Sequence, residues 1–284
     1  MKRCSGNGGG SMATGSLPRG LAVLQCLVGA SEGLPLGRIS ELVNLPKSAT
    51  HRILMTLADE GFVQQVEGSG NYALTLRIVS LGLRHLAGST IADLAVPVLA
   101  RLARESQQLV RLGLVDGSRL MWVARSQGAR GGLRYEPDVD HGKEIPLASS
   151  ASGLAWLSQL SDDEALHLVA RQNPEHRHPM GPGAPESLTD VLDRVHEARA
   201  RGWARVHDSF EEGISAMAAP LRTDGVGAAG VVSIAGPSLQ LTDSRMDELS
   251  ASLVAAAGEL ANLAGAMVSE ARSRDREFPM AAPG

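Results

Sequence analysis

The spacing of apolar residues predicts helices and one hairpin in the first 90 positions. Leu, Val and Ile recur at steps of three and four residues, which keeps them on one face of a helix. The predicted elements are helices over residues 17–30, 36–43, 46–60 and 76–86, and strands over residues 62–66 and 71–76 around a Glu-Gly-Ser-Gly turn. Three short helices followed by a hairpin are the components of a winged helix-turn-helix.

The apolar pattern of the rest of the chain alternates between helix and strand periods. The predicted helices span residues 91–107, 151–160, 162–171, 187–201 and 242–272, and the predicted strands span residues 110–115, 119–124, 203–207, 215–222 and 228–235. An Asp-Gly-Ser turn at residues 116–118 joins the first two strands in a hairpin. Helices mixed with antiparallel hairpins predict an α+β domain.

The third predicted helix has two chemically different sides when it is wound at about 100° per residue. One side carries Ala49, Ile53 and Leu57 with Thr50 and Leu54 at its edge, and the other carries Ser48, His51, Arg52 and Met55 with Lys47 beside them. Arg can read guanine in the major groove, and Lys and Ser can hold phosphates. A solvated face on an ordinary surface helix is the competing interpretation, and it is favoured if this helix is taken alone.

Composition fits a globular protein but does not by itself indicate DNA binding. The net charge is −4, and residues 1–80 hold seven Lys or Arg against five Asp or Glu. This asymmetry is small, and DNA affinity depends on a local basic patch. The two cysteines, Cys4 and Cys26, form no disulfide framework or metal motif, so a reducing cytoplasm is predicted. No apolar run is long enough to predict a membrane span.

Several segments, taken in order, resemble the IclR family of bacterial transcription regulators. The matching segments are residues 16–24, 36–42, 45–54, 61–64 and 72–74 in the first part, and residues 146–153, 202–203, 208, 210–214, 218–220, 232–237 and 241–242 in the second. The combination is more specific than any one motif. Two positions depart from the family pattern: Leu154 stands where Lys is usual, and Thr75 stands where Gly is common.

The resemblance implies a winged helix-turn-helix followed by a GAF/PAS-like effector-binding domain. The implied DNA-binding residues are Arg19, Arg38, Lys47, Ser48, Thr50, His51 and Arg52. The implied effector-binding residues are Tyr135, Ile145, Ala151, Ser152, Asp208, Ile214, Ala216, Ser233 and Ala235. Core packing is an equally good interpretation of the apolar members of the second set.

The predicted effector is a small organic acid. Ser149, Ser150 and Ser152 cluster where a helix begins, and free N–H groups at a helix N-terminus bind carboxylates. Simple N-capping by a serine explains the cluster equally well. The Leu-Arg-Tyr-Glu-Pro-Asp stretch at residues 133–138 resembles regulators of aromatic-acid catabolism.

The expected organisation is a leader over residues 1–15, a winged helix-turn-helix over 16–76, a linker helix over 77–90, an effector-binding domain over 91–272 and a flexible tail over 273–284. Expected partners are double-stranded operator DNA, a small-molecule effector and a second copy of the chain, as a homodimer or a dimer of dimers. No cofactor and no metal are expected. The resemblance favours a repressor, although the family also contains activators.

Other motifs in the sequence are weaker indications of function. Residues 225–230 fit G-x-G-x-x-G but lead into a predicted strand, and His176 and His178 lie in a loop with Arg177 between them. A hydrolase elbow, a zinc-protease helix and a P-loop are all missing from the sequence, so an enzyme is not predicted. The competing classes are an enzyme or sensor whose winged helix binds protein, and a purely architectural DNA binder.

Overall fold

In a computed structural model of the protein, residues 15–87, 91–137, 142–172, 180–223 and 227–277 are described. The chain divides into two compact units, residues 1–88 and 89–284. The leader through residue 14, the histidines His176 and His178, the turn at Asp224-Gly225 and the end of the chain from residue 278 lie outside the described residues.

The first unit contains the predicted helices and hairpin. Its elements are α1 (Ser16–Leu27), α2 (Leu36–Leu42), α3 (Lys47–Asp59), β1 (Val63–Gln65), β2 (Tyr72–Leu74) and α4 (Leu76–Ala87). The two strands are antiparallel, and Leu34 bridges to Tyr72 beside them. This is the predicted winged helix-turn-helix.

A small apolar core holds the first unit together. The buried members come from the three helices and both strands: Val23, Cys26, Leu27, Ile39, Leu54, Val63 and Tyr72. Because each helix contributes one stripe, none of them can bury its apolar face without the other two.

The buried side of α3 is rotated from the predicted one. Thr50 and Leu54, predicted at the edge, are 0% exposed, whereas Ala49 and Ile53 are only partly buried. The Thr50 hydroxyl donates to the Pro46 carbonyl at 3.2 Å within its own helix. The resemblance implies Thr50 as a DNA-binding residue, but its side chain faces the core and does not lie on the exposed side of α3.

The second unit is built on one antiparallel sheet. Its elements are α5 (Ile91–Ser106), β3 (Leu109–Asp116), β4 (Arg119–Gln127), α6 (Ala151–Leu157), α7 (Asp162–Arg171), α8 (Leu188–Arg201), β5 (Ala204–His207), β6 (Ile214–Thr223), β7 (Gly227–Pro237) and α9 (Asp243–Glu277). The strand order is β4-β3-β7-β6-β5. These are the α+β elements that the sequence predicts.

Both faces of this sheet are covered by helices. On β7, Val231 and Ala235 pack in a core with α6 and α8, whereas Val232 and Ile234 pack in a second core with α5 and α9. Because successive side chains of a strand point to opposite faces, each strand supplies both cores. The face covered by α6 and α8 carries the cavity described below.

Several ends differ from the sequence prediction: α1 ends at Leu27, three residues early, and β4 extends to Gln127, three residues beyond its predicted end. Helix α6 stops at Leu157, three residues early, and the Ser158 hydroxyl donates to the Ala155 carbonyl at 2.8 Å. Helix α9 continues to Glu277, so residues 273–277, which the sequence analysis assigned to the flexible tail, are helical. Within the described part of the chain, no helix combines the length and the apolarity needed to cross a bilayer.

An acidic side chain fastens α7 to α8. Asp162, in the first turn of α7, accepts hydrogen bonds from His196 at 2.8 Å and from Arg199 at 3.0 Å. These two hydrogen bonds lower the pKa of Asp162 below its ordinary value of 3.8, and the bond from His196 has the larger effect. The carboxylate thus stabilises the folded unit when it is ionised.

We expect the stability of Asp162→Asn to depend less on pH in the acid range than that of the wild type. The stabilisation by Asp162 is complete above pH 3.8 and is lost as the pH falls through the lowered folded-state pKa. The thermal midpoint of the variant should therefore lie below that of the wild type near neutral pH, and the two should converge in stronger acid. Thermal unfolding from about pH 7 to about pH 2.5 measures this. Asp163→Asn removes the same charge from the same turn and is the control; an equal effect there would contradict the assignment.

Candidate nucleic-acid interface and ligand cavity

One side of α3 is open to solvent and carries polar and basic groups. Lys47, Ser48, His51 and Arg52 are all exposed, and Met55 is 43% exposed. These are the outward residues that the helical wheel predicts. The buried residues Thr50 and Leu54 on the other side anchor the helix, so the exposed groups are presented on a fixed support.

The other predicted basic residues lie in α1 and α2. Arg19 and Arg38 are half-buried, and Arg38 pairs with Glu41 at 3.0 Å on the same helix. Lys47 lies against Gly37, where a side chain would meet its Cε at 3.7 Å. Exposed ion pairs contribute little stability, so Arg38 can exchange Glu41 for another anion at small cost.

The hairpin beside α3 carries no positive charge of its own. Residues 61–76 contain Glu67 and neither Lys nor Arg. The Thr75 hydroxyl donates to the Gly61 carbonyl at 2.5 Å and accepts from the Arg77 N–H at 3.2 Å, which joins the hairpin to the start of α4. Thr75, which stands where Gly is common in the family, thus has a structural role in this chain.

A narrow cavity lies between the sheet of the second unit and α6. Its lining residues are Arg111, Trp122, Tyr135, Ile145, Pro146, Ser150, Ala151, Ser152, Val206, Phe210, Ile214, Ala216 and Ala235. The cavity volume is about 20 Å³, which is room for about one water molecule. A larger ligand therefore enters only if lining side chains move.

Seven of the nine residues predicted to bind the effector line this cavity. They are Tyr135, Ile145, Ala151, Ser152, Ile214, Ala216 and Ala235. They come from distant points of the sequence and meet because the sheet brings β6 and β7 together beneath α6.

Asp208 and Ser233 lie outside the cavity lining. The Asp208 carboxylate accepts from the Gly213 N–H at 2.7 Å and from the Ser238 hydroxyl at 3.1 Å, so it closes the loop that carries Phe210. Asp208 itself has a φ of 50°. Ser233 is 1% exposed in β7, and its hydroxyl has no hydrogen-bond partner among the described residues.

Arg111, Trp122 and Phe210 also line the cavity, although they are not among the residues predicted to bind the effector. Arg111 is 5% exposed, and its guanidinium carbon lies 4.1 Å from the centroid of the Trp122 ring and 5.7 Å from that of Tyr135. The sequence did contain an indication of Arg111, because this residue interrupts an apolar strand. It was not informative alone, because alternation does not tell whether the second face of a strand is covered.

In the serine cluster at the start of α6, the contacts of Ser150 are those of a helix N-cap. The Ser150 hydroxyl accepts from the Gly153 N–H at 2.9 Å and donates to the Pro146 carbonyl, so it is the N-cap of α6. The seven residues of α6 are all buried. Leu154, at the position where the family usually has Lys, is 0% exposed in the core.

The G-x-G-x-x-G segment leads into a strand, because β7 begins at Gly227. Among the residues with described positions, no group of three His, Cys, Asp or Glu side chains is arranged to hold a metal ion.

An exposed basic side of a helix in a winged helix-turn-helix unit, followed by a unit with an internal cavity, is typical of DNA-binding transcription regulators with an effector-binding domain. Comparison with known families agrees. The chain belongs to the IclR family: residues 16–67 match the IclR helix-turn-helix domain, and residues 84–262 match the bacterial transcriptional regulator IclR C-terminal domain. The prediction of family and fold class is confirmed, and the chain is a DNA-binding transcription regulator and not an enzyme.

Individual relatives extend over nearly the whole chain. The glycerol operon regulatory protein of Streptomyces coelicolor is 31% identical over 87% of this chain and 93% of its own. The acetate operon repressor of Salmonella typhimurium is 27% identical over 86% of this chain and 88% of its own. An IclR homologue from Microbacterium hydrocarbonoxydans, crystallised with 4-hydroxybenzoate, has a TM-score of 0.71 at 18% identity, covering 88% of this chain and 98% of that one.

Proposed function

We propose that the protein is a repressor that binds operator DNA as a homodimer and responds to a small organic acid in the cytoplasm. The observation that carries the proposal is the exposed side of α3, where Ser48, His51 and Arg52 stand together on a helix anchored by Leu54. The width of the major groove also fits this interpretation, because the groove accepts one α-helix.

In the proposed complex, α3 enters the major groove and the flanking basic residues hold the backbone. Arg52 reads a guanine, and Ser48 and His51 contact neighbouring base edges or phosphates. Lys47, Arg19 and Arg38 contact phosphates, which fixes the register of the helix. The hairpin contributes through its amides and polar side chains, because it has no cation.

Pairing of two chains through α1 and α4 is part of the proposal. Both helices expose large apolar side chains in the first unit, which a monomer would leave in water: Leu17, Leu21, Val28, Leu76, Val79 and Leu81, each at least 48% exposed. A symmetric dimer places two recognition helices against two half-sites of a palindromic operator. A dimer of dimers would use a further surface of the second unit.

The effector is proposed to occupy the cavity of the second unit, with Tyr135, Ile145, Ala151, Ser152, Ile214, Ala216 and Ala235 around it. Its apolar lining suits a hydrophobic body with one polar end. The homologue crystallised with 4-hydroxybenzoate makes an aromatic acid a reasonable first candidate. The names of relatives such as the acetate operon repressor support repression as the sign of regulation.

The test of operator recognition is Arg52→Ala. Loss of a bidentate contact to guanine should weaken binding by about 1–3 kcal/mol, which is roughly 5- to 150-fold. The probe is a duplex that the wild-type protein selects from a random-sequence pool, titrated in a gel-shift assay at fixed salt. A duplex with one half-site scrambled should lose most of the affinity of a dimer.

Arg104→Ala is the matched control, because Arg104 is exposed on α5 in the second unit and its loss changes the net charge equally. It should leave operator affinity within a factor of about two at the same salt concentration. If Arg52→Ala binds the selected duplex as tightly as Arg104→Ala, α3 is not the reading helix and the proposed function fails.

A further inference from the structure

We propose that Arg111 is the residue that binds the carboxylate of the effector, and that the effector is a monocarboxylate with a flat aromatic body. This inference rests on the proposed function, because it concerns the same cavity.

Arg111 is the one charged residue among the described residues that line the cavity. It stands in the middle of β3 with 5% of its surface exposed, and its neighbours in the cavity include Ile145, Ala216 and Ala235. Water stabilises so deeply buried a charge only weakly, and groups inside the protein must replace it. Arg111 also makes further interactions within the chain, so a ligand would add to its existing partners or exchange with one of them.

The strand register places two polar residues directly beside Arg111. Arg125 is its partner on β4, and Ser233 is its partner on β7. Opposite residues of antiparallel strands project from the same face, and of these neighbours Arg125 is exposed to solvent whereas Ser233 is buried. Ser233 does not line the cavity, but it lies beside Arg111 on the same face, and its buried hydroxyl is a donor with no partner among the described residues.

The Arg111 guanidinium is held in position by the aromatic residues next to it. Its carbon lies 4.1 Å from the centroid of the Trp122 ring and 5.7 Å from that of Tyr135. Stacking on a ring face orients the plane of a guanidinium without occupying its N–H groups. A guanidinium fixed in this way can bind both oxygens of a carboxylate at little entropic cost.

The remaining lining indicates the body of the ligand. Three of the eight aromatic residues of the chain, Trp122, Tyr135 and Phe210, line this one cavity. Aromatic rings pack against other rings in offset or edge-to-face arrangements, and Ala216 and Ala235 leave space at the sheet. A benzoate-like ligand fits this combination better than a short aliphatic acid, which would leave the rings without contact.

The experiment uses the full-length protein and two pairs of probes, benzoate with benzamide and 4-methylbenzoate with 4-methylbenzamide. Each amide keeps the shape of its acid and removes the charge. Isothermal titration measures the affinity of the wild type, Arg111→Gln and Arg111→Lys for all four compounds. Arg104→Gln is the control, because it removes an exposed arginine from the helix layer on the other side of the sheet.

We expect the wild type to bind each acid at least about ten-fold more tightly than its amide, which corresponds to a charge-assisted bidentate contact. Arg111→Gln should lose this preference and keep its affinity for the amides, and Arg111→Lys should be intermediate. Arg104→Gln should behave as the wild type. If Arg111→Gln does not fold, as judged by its thermal transition, the Arg111→Lys variant decides.

Equal binding of acid and amide by the wild type, unchanged acid binding in Arg111→Gln and Arg111→Lys, or no binding of either acid would each overturn this inference. The gel-shift assay on the ligand-free protein separates the two levels of the proposal. A protein that binds its selected duplex but does not prefer aromatic acids contradicts only the assignment of Arg111. A protein that does not bind DNA contradicts the proposed function itself.

Discussion

Replacement of Leu54 by alanine is expected to destabilise the first unit strongly while the second unit keeps its stability. Leu54 is 0% exposed and lies where α3 meets the other elements of the small core. Truncation of such a leucine costs about 2–5 kcal/mol, because the surrounding side chains fill the space only in part. A unit of fewer than 90 residues has a total stability on the order of 5–10 kcal/mol, so this loss is a large share.

Differential scanning calorimetry of the full-length variant checks this expectation. The transition of the first unit should move to much lower temperature or disappear, and that of the second unit should remain, because Leu54 contributes nothing to its two cores. Operator affinity should fall with the folded fraction of the first unit.

Met55→Ala is the matched control for Leu54→Ala, since it shortens a side chain of similar size at the next position of the same helix. Met55 is 43% exposed, so the stability should change by no more than about 0.5 kcal/mol. Similar melting curves for the two variants would show that the outward and inward sides of α3 have been assigned wrongly.

The second large effect is expected for Gly153→Ala in α6. A Cβ atom at Gly153 would lie 2.2 Å from the Leu147 carbonyl oxygen and 2.4 Å from the Leu147 Cα. Both are backbone atoms of the segment that supplies Ile145 and Pro146 to the cavity, so a change of side-chain conformation cannot relieve the clash. We expect a loss of about 3 kcal/mol, at the upper end of overpacking effects.

The measurement is the thermal midpoint of the second unit, which should fall by roughly 6–12 °C for a loss of this size. Binding of any cavity ligand should weaken as well, because α6 can accommodate the extra carbon only by moving away from residues 146–147. Operator binding by the ligand-free protein should change much less, since α3 belongs to the other unit.

Gly258→Ala tests whether the effect at Gly153 is one of close packing or of glycine removal in general. Gly258 is exposed on α9, and a Cβ there meets nothing within 4 Å. Alanine should stabilise that helix by about 0.5–1 kcal/mol. If both substitutions shift the midpoint in the same direction, the contact with Leu147 does not govern α6.

The narrowness of the cavity bears on how an effector can act. With about 20 Å³ free, the cavity has too little room for an organic acid unless its lining moves. A ligand that needs a wider cavity binds the widened conformation better and shifts the population toward it. Regulation follows if that conformation also has a different affinity for the operator, and the coupling is then reciprocal.

Local patterns were enough to locate nearly all of the secondary structure. Helix α7 (Asp162–Arg171) has the predicted bounds, because Ser161 and Glu164 form a capping box that marks its start in the sequence. The ends of α6 and α9 were missed because hydrophobic periodicity continues past a helix end or fades within one. The exposed side of α3 was predicted, but its two most buried residues, Thr50 and Leu54, were predicted at the edge of the apolar side and not at its centre.

The sequence by itself determined the element order, the fold class and the family, because apolar periodicity and ordered motifs are local properties of the chain. Only the tertiary structure decided that Thr50 is buried, that Asp208 closes a loop, and that Arg111 lies inside a cavity. Both faces of the sheet are covered, so alternation along β3 assigns Arg111 to one face without telling which layer lies above it. That information resides in the pairing of distant strands, which brings Arg111 beside Ser233 across more than a hundred residues.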